Sequence, residues 1–128
     1  MLPTTREWVS KAEGDYGTVC VLLKSRKPWR YDVICFHSQQ CAEKYLKARL
    51  VEGSVAFPKT HDLDALLRLA LSLEPTWIAF WPEITLLAVW SVQPRYPGTN
   101  ATAAKMRDSV KAIRRFRAAA RIAFGLKP

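Results

Sequence analysis

Hydrophobic residues recur every three or four positions along most of this chain, which is the spacing of helices that bury one face. The first such stretch follows Thr4 and Thr5, either of which can cap a helix, and it ends in the basic segment Lys24–Lys27. Gly14 and Gly17 lie inside it. Because glycine weakens a helix, we expect another helix to approach closely at these two positions. The apolar positions of this first helix are Val9, Ala12, Tyr16, Val19, Cys20 and Leu23.

The second apolar pattern predicts the central helix of the molecule. It runs from about Trp29 to Glu52, follows Pro28 and stops at Gly53. It carries two adjacent apolar lines, which imply a buried face wide enough for several neighbouring helices. One line is Ile34, Cys41, Tyr45 and Ala48, and the other is Cys35, Ala42, Leu46 and Leu50. The charged residues assigned to the solvent side are Glu43, Lys44 and Lys47.

The rest of the chain predicts three more helices. Their limits are, in chain order, the cap Thr60 to about Ser72, about Pro82 to Val92 after a short helical turn, and the cap Thr99 or Asn100 to about Phe124. The pattern contains neither strand-like alternation nor an internal repeat. The sequence therefore predicts an all-α fold, an up-and-down bundle of four long helices plus a short extra helix, in a single domain over residues 1–128.

Composition restricts the class of protein. No apolar run reaches the roughly 20 residues that a membrane span requires. The polar N-terminus lacks the apolar core of a signal peptide, so we expect a cytoplasmic protein that does not bind a membrane. Cys20, Cys35 and Cys41 fall on apolar helical positions and are expected to be buried thiols. No metal-ligand spacing or phosphate loop is present, so neither a metal site nor a cofactor is predicted.

The net charge of +9 is large for 128 residues and favours an anionic partner, either nucleic acid or an acidic protein. Much of this charge lies on the predicted outer face of the last helix. Exposed aromatic residues are not interleaved with it, so base stacking is not indicated. The cations of this face are Lys105, Arg107, Lys111, Arg114, Arg115, Arg117 and Arg121.

Four motifs occur in order along the chain. They are Ala12-Glu13-Gly14-Asp15-Tyr16, the segment from Phe36 to Ala48, the segment from Phe57 to Leu63, and Arg95-Tyr96-Pro97-Gly98. Together they resemble the HEPN family, the higher eukaryotes and prokaryotes nucleotide-binding domain. The resemblance implies a helical bundle that forms a homodimer and pairs with a minimal nucleotidyltransferase, often as toxin and antitoxin. For many members it also implies a metal-independent ribonuclease, in which an arginine is followed after four to six residues by a histidine, usually in the C-terminal half.

The chain departs from that ribonuclease motif. Arg95 is not followed by a histidine, and neither histidine lies beyond residue 61. Arg30 and His37 do have the required spacing, and residues seven apart share a helix face, but they lie in the opposite half of the chain. The catalytic residues therefore stay unassigned, with Arg95, His37 and Arg30 as candidates.

The polar residues of the second motif allow two interpretations. His37 can act as a general acid or base, because histidine titrates near neutrality. Alternatively it is a buried histidine held by Asp15, which is the interpretation we favour. Of Gln39 and Gln40, one is expected to face inward and bind backbone, for example at the Arg95–Pro97 turn. Asp15, His37 and Gln40 are therefore predicted to make structural polar contacts.

Two segments are candidate nucleotide or anion sites. Arg95 and Tyr96 lie on a loop between two prolines, and arginine offers a planar fork for phosphate or carboxylate. The same arginine could instead pair with a carboxylate that fixes the turn. Lys59 and His61 precede the third helix, whose free N–H groups favour anions, although His61 could simply cap that helix.

These observations lead to three hypotheses. The first is a dimeric interaction module that pairs with a nucleotidyltransferase-type partner and binds nucleotide or RNA phosphate. The second is a metal-independent ribonuclease toxin, and the third is a domain that only dimerises or stabilises a partner. The aromatic residues expected in the core or at a dimer interface are Trp77, Phe80, Trp81 and Trp90.

Overall fold

The computed structural model describes residues 1–91, 97 and 100–128, and every regular element within them is helical. The α-helices are α1 (Pro3–Leu22), α2 (Arg30–Glu52), α3 (Leu63–Ala70), α4 (Trp81–Ala88) and α5 (Ala103–Ala123), and the 3₁₀ helix Pro75–Phe80 leads into α4. The predicted all-α bundle is confirmed. Since α3 and α4 have 8 residues each, the long helices of the described chain are α1, α2 and α5. The prediction that the fourth helix continues to about Val92 is wrong, since α4 ends at Ala88 and residues 89–91 form a turn. Val92 itself and the predicted cap Thr99 lie outside the described residues.

The helix α2 is the centre of the bundle. Its two apolar lines form a wide apolar face, and α1, α3, α4 and α5 all pack against α2. Tyr45, Leu46 and Leu50 are fully buried in the main core. A second core cluster, which includes Ile34 and Val110, closes the end of the bundle where α2 begins. None of the helices in the described ranges is long and apolar enough to cross a lipid bilayer.

The aromatic residues before and along α4 pack into the chain itself. Trp77 and Phe80 meet the ring of Phe116 edge to face, with centroids 5.2 and 5.8 Å apart. Trp90 is buried in the second cluster, and Trp81 is half-buried against the main core. These rings therefore belong to the core of one chain.

Two helix starts differ from the predicted caps. α1 begins at Pro3, whose missing N–H costs nothing in a first turn. Thr5, one of the two predicted caps, instead donates its hydroxyl to Oε1 of Glu52 on α2 at 2.9 Å. α3 is capped by Asp62, which accepts from the backbone N–H of Ala65 at 3.2 Å. The capping contact is thus made by a residue two positions after the predicted Thr60.

The start of α5 also lies later than predicted. Thr102 caps it and accepts from the backbone N–H of Lys105 at 3.2 Å. The predicted cap Asn100 lies before the helix, because the next residue, Ala101, is tied by its N–H to a carboxylate oxygen of Asp32 on α2. A tertiary contact therefore sets where this helix begins.

The two glycines of α1 lie on its exposed face. A Cβ atom built on Gly14 or Gly17 would meet no other atom within 4 Å. The prediction that another helix approaches closely there is wrong, since the helices that contact α1 pack on the side of Ala12 and Val19.

Candidate functional site

Polar side chains of α2 form three clusters with its neighbours, and each is centred on a carboxylate. Asp15 and Glu13 of α1 are the centres of two of them, and Glu43 of α2 is the centre of the third. Charge-assisted hydrogen bonds of this kind orient side chains strongly where water is largely excluded. The clusters are named below by their central carboxylate.

The Asp15 cluster joins α1 to α2. Nδ1 of His37 lies 2.7 Å from Oδ1 of Asp15, and Nζ of Lys44 lies 2.5 Å from Oδ2. The side chain of Asp15 is 9% exposed and that of His37 is 26% exposed. His37 therefore lies against Asp15 with part of its ring at the surface. A purely structural role of His37 in this helix pair and a role in proton transfer both stay predictions.

The Glu43 cluster joins α2 to the segment before α3. Oε1 of Glu43 lies 2.9 Å from Nδ1 of His61, and Nζ of Lys47 donates to Oε2 at 3.2 Å. Gln39, which is fully buried, donates to Oε1 of Glu43 at 3.3 Å and to the carbonyl of His61 at 3.5 Å. Gln40 donates to Oε1 of Gln39 at 2.6 Å. Both the side chain and the backbone of His61 are thus held by α2.

The prediction that Glu43 and Lys47 face solvent is wrong, since their side chains are 4% and 8% exposed. The segment that carries His61 folds over this side of α2, and Trp8 of α1 lies over Lys47, with 5.5 Å between Nζ and the ring centroid. The side chain of His61 is itself 69% exposed. The cluster therefore presents to solvent an imidazole that is oriented by a buried carboxylate.

The Glu13 cluster joins α1, α2 and α5. Arg117 donates to both oxygens of Glu13, at 2.6 and 2.8 Å, and Tyr45 donates its hydroxyl to Oε2. Burial opposes ionisation here, but the hydrogen bonds from Arg117 and Tyr45 hold the pKa of Glu13 below its ordinary value. Arg121 lies 3.3 Å from Glu13. Arg117 and Arg121 therefore turn inward, contrary to the prediction that places them on the outer face of α5.

The residues proposed from the ribonuclease motif have separate surroundings. Nη1 of Arg30 donates to the carbonyl of Leu23 at 3.0 Å, so Arg30 satisfies a carbonyl at the end of α1. His37 belongs to the Asp15 cluster instead. Arg95 and Tyr96 lie outside the described residues, so their role as an anion site stays a prediction.

The segment before α3 holds the other predicted anion site, Lys59 and His61. Both residues are exposed. Asp62 and Asp64 add carboxylates to the same helix start, and Asp62 already accepts the N–H of Ala65. A carboxylate of the chain thus occupies the position that a bound anion takes at other helix starts. Anion binding by Lys59 and His61 stays a prediction.

Comparison with known proteins places the chain in a family. Residues 5–123 match the family model of the HEPN domain. The chain belongs to the HEPN family. This HEPN chain is 32% identical over 97 residues to a protein of Methanocaldococcus jannaschii that is provisionally named toxin MJ1304. The match spans 70% of this chain and 61% of that relative, and no solved structure matches the chain.

The outer face of α5 in this HEPN protein is a row of cations. Arg115 is tied to Glu83 at 3.0 Å, although its side chain is 62% exposed. Four other exposed cations form no ion pair with any carboxylate of residues 1–91 or 100–128, and they are called the basic face here. The residues of the basic face are Lys105, Arg107, Lys111 and Arg114. Such a surface attracts anionic partners and accelerates their association.

The sequence analysis did not identify Glu13 and Glu43, the central carboxylates of two of the three clusters, as site residues. For Glu43 a signal existed, because Lys47 follows it by four positions and such residues are neighbours on a helix. For Glu13 the partners lie on α5, far along the chain, and no local pattern indicates them. In the ranges that the structure describes, no group of three or more metal-ligating side chains comes together.

Proposed function

We propose that this HEPN protein is a toxin-like component of a two-protein system and acts by binding a nucleotidyltransferase-type protein. The observation that carries the proposal is the basic face, whose cations find no carboxylate within the described chain. An acidic partner surface would complement this charge. The relative that is named as a toxin supports the first part of the proposal, and the family resemblance supplies the kind of partner.

Coexpression with the protein of an adjoining nucleotidyltransferase reading frame tests this proposal. We expect a complex that survives gel filtration in physiological salt and dissociates as the salt concentration rises, since salt screens exposed charges. Reversing two cations of the basic face, Lys111→Glu with Arg114→Glu, is expected to weaken the complex about tenfold or more. Arg6→Glu with Lys11→Glu on α1 is the control of equal charge. Absence of any complex with the unchanged chain would overturn the proposal.

We also propose a homodimer. Val21 and Trp29 flank the loop between α1 and α2, and they are 68% and 59% exposed. Large exposed apolar side chains favour association. Sedimentation at micromolar concentration is expected to give twice the mass of one chain, and Trp29→Ser is expected to shift the protein towards a monomer. A monomeric unchanged chain at that concentration would contradict the dimer.

Metal-independent RNA cleavage is a second candidate function, and the Glu43 cluster is the observation that favours it. A carboxylate that holds one nitrogen of an exposed imidazole is the arrangement of an oriented general base. Under this proposal, RNA cleavage in the presence of a chelator falls about 100-fold or more in His61→Ala. No cleavage by the unchanged protein would remove this candidate.

Variants of the other candidate residues separate the two possible locations of such a reaction. Cleavage that persists in His61→Ala but is lost in Arg95→Ala or His37→Ala would assign it to the candidate residues of the sequence analysis. Phosphate recognition is measured separately, by titrating an uncleavable RNA and a nucleotide. Loss of that binding in Arg95→Ala or Lys59→Ala would support the predicted anion site, whose members are Arg95, Tyr96, Lys59 and His61.

A further inference from the structure

A shallow groove runs between the end of α1 and the outer face of α5, and it is called the α1–α5 groove. Its floor is apolar: Leu23 is half-buried, and Met106 and Val110 are 5% and 4% exposed. Its rim is basic. The cations that line it are Arg107, Lys111, Arg114 and Arg115.

The floor of the groove is built into the fold. Met106 and Val110 belong to the second core cluster, and Leu23 packs against that cluster. Arg30 of α2 donates to the carbonyl of Leu23, which holds the chain in place as it leaves α1. A ligand would therefore meet a preformed apolar strip, and little ordering of the floor would be needed on binding.

The described residues that line the α1–α5 groove carry positive charge and no negative charge. None of them is acidic, and only Arg115 has an ion-pair partner in the described part of the chain, which is Glu83. The groove on the other side of Lys111 differs, because Glu83 and Asp108 line it together with the cations. The charge of the α1–α5 groove is therefore left to be balanced by another molecule or by solvent ions.

An acidic protein segment fits this groove better than RNA does. Phosphates need cations but no apolar floor, and no aromatic side chain of residues 1–91 or 100–128 lines the groove for base stacking. An amphipathic helix meets both features of the groove. Its apolar residues, three or four positions apart, can face the floor while flanking carboxylates face the rim.

We propose that the α1–α5 groove binds an acidic amphipathic helix of a partner protein. The inference rests on the proposed function, since that helix would belong to the protein partner. Arg107 and Arg114 pair with its carboxylates, and the strip formed by Leu23, Met106 and Val110 receives its apolar side chains.

A labelled helical peptide of about 15 residues, roughly 22 Å long, tests the groove. The peptide carries leucines at helical spacing flanked by glutamates, and its binding is followed by fluorescence anisotropy in physiological salt. We expect Arg107→Glu with Arg114→Glu to weaken binding about tenfold or more. The control of equal charge, Arg6→Glu with Lys11→Glu, lies outside the groove and the basic face and is expected to weaken binding less than about threefold. Leu23→Ser is expected to weaken binding while the circular dichroism stays native.

Three results would overturn the inference. One is an equal loss in the groove and control variants, which would indicate general electrostatic attraction. Another is undiminished binding of a peptide in which serines replace the leucines. The third is a single-stranded RNA that displaces the peptide from the unchanged protein and binds Leu23→Ser equally well.

The same variants applied to the coexpressed partner separate this inference from the proposed function. If the complex forms but does not respond to Arg107→Glu with Arg114→Glu, the inference fails and the proposed function stands. If no complex forms with the unchanged chain, the proposed function fails, and the peptide measurement decides whether the groove binds acidic helices at all.

Discussion

Glu43 and Lys47 form a buried ion pair one turn apart on α2, with Nζ 3.2 Å from Oε2. Little water reaches either charge, so each depends on the other and on the contacts of Glu43 with His61 and Gln39. Loss of one member of such a pair leaves a buried charge uncompensated, whereas apolar replacement of both can be nearly neutral. The pair therefore links the stability of α2 to the position of the exposed His61.

Replacing Glu43 by alanine is expected to destabilise the protein by about 3–5 kcal/mol, because Lys47 is left buried and unpaired. Urea unfolding followed by tryptophan fluorescence measures this cost. His61→Ala removes the exposed member of the cluster and is expected to cost no more than about 1 kcal/mol. The double variant Glu43→Met with Lys47→Met should recover much of the loss. Equal costs for Glu43→Ala and His61→Ala would contradict this ranking.

The Glu13 cluster is expected to make stability depend on pH in the acid range. Burial raises the pKa of Glu13, but the hydrogen bonds from Arg117 and Tyr45 and the charges of Arg117 and Arg121 outweigh it and lower this pKa in the folded chain from its ordinary value of 4.5. A carboxyl whose pKa is depressed by folding stabilises the protein above the unfolded pKa, and this contribution is lost as the pH falls through the folded pKa. Glu13→Gln should therefore cost about 1–3 kcal/mol near neutral pH.

Urea unfolding at a series of pH values tests the linkage. The difference in unfolding free energy between the unchanged protein and Glu13→Gln should be constant above pH 4.5 and should shrink as the pH falls below that value. Glu7→Gln is a suitable control, because Glu7 is an exposed glutamate on the same helix. A difference that did not change with pH would contradict the assigned role of the Glu13 charge.

The long helices could be predicted because burial repeats with the helical period. Val9, Ala12 and Val19 are buried where the three-four pattern places them, and so is Tyr45 on the central helix. Helix starts were less predictable, since several residues of the capping type lie close together at each start. At α5 the choice depends on the contact between Ala101 and Asp32, and local sequence does not contain that contact.

The site was less predictable than the fold. The helical period of apolar residues alone assigns Glu43 to the solvent side of α2. Glu43 is buried because the segment before α3 packs back against α2, and the period does not show this. The pairing of His37 with Asp15 could be predicted, because both residues lie on the apolar faces of helices that were expected to pack together. The α1–α5 groove needs Leu23 and α5 to meet, which depends on how the helices are arranged around α2.

The three thiols are expected to differ in reactivity. Burial raises the pKa of Cys35 to about 11 and raises that of Cys41 well above its ordinary value, so both remain protonated thiols near neutral pH. Cys20 is partly exposed. Alkylation with iodoacetamide followed by mass spectrometry should modify Cys20 first, and all three thiols should react in denaturant. Labelling of Cys35 or Cys41 as fast as Cys20 would contradict their burial.

The exposed glycines of α1 offer a stabilising change. Because a Cβ atom at Gly17 would meet nothing within 4 Å, alanine fits there without strain. Alanine also reduces the freedom of the unfolded chain, so Gly17→Ala is expected to raise the unfolding free energy by about 0.5–1 kcal/mol. Gly14→Ala should act similarly, and the two gains should nearly add.

Gly53→Ala is the matched negative control, and thermal and urea unfolding measure all three variants. A Cβ atom on Gly53 would overlap a methyl carbon of Leu73, so the side chain of Leu73 would have to move. We therefore expect Gly53→Ala to be less stable than the unchanged protein, since overpacking costs more than the glycine entropy returns. Destabilisation by Gly14→Ala or Gly17→Ala would mean that another surface packs closely on this face of α1 in solution.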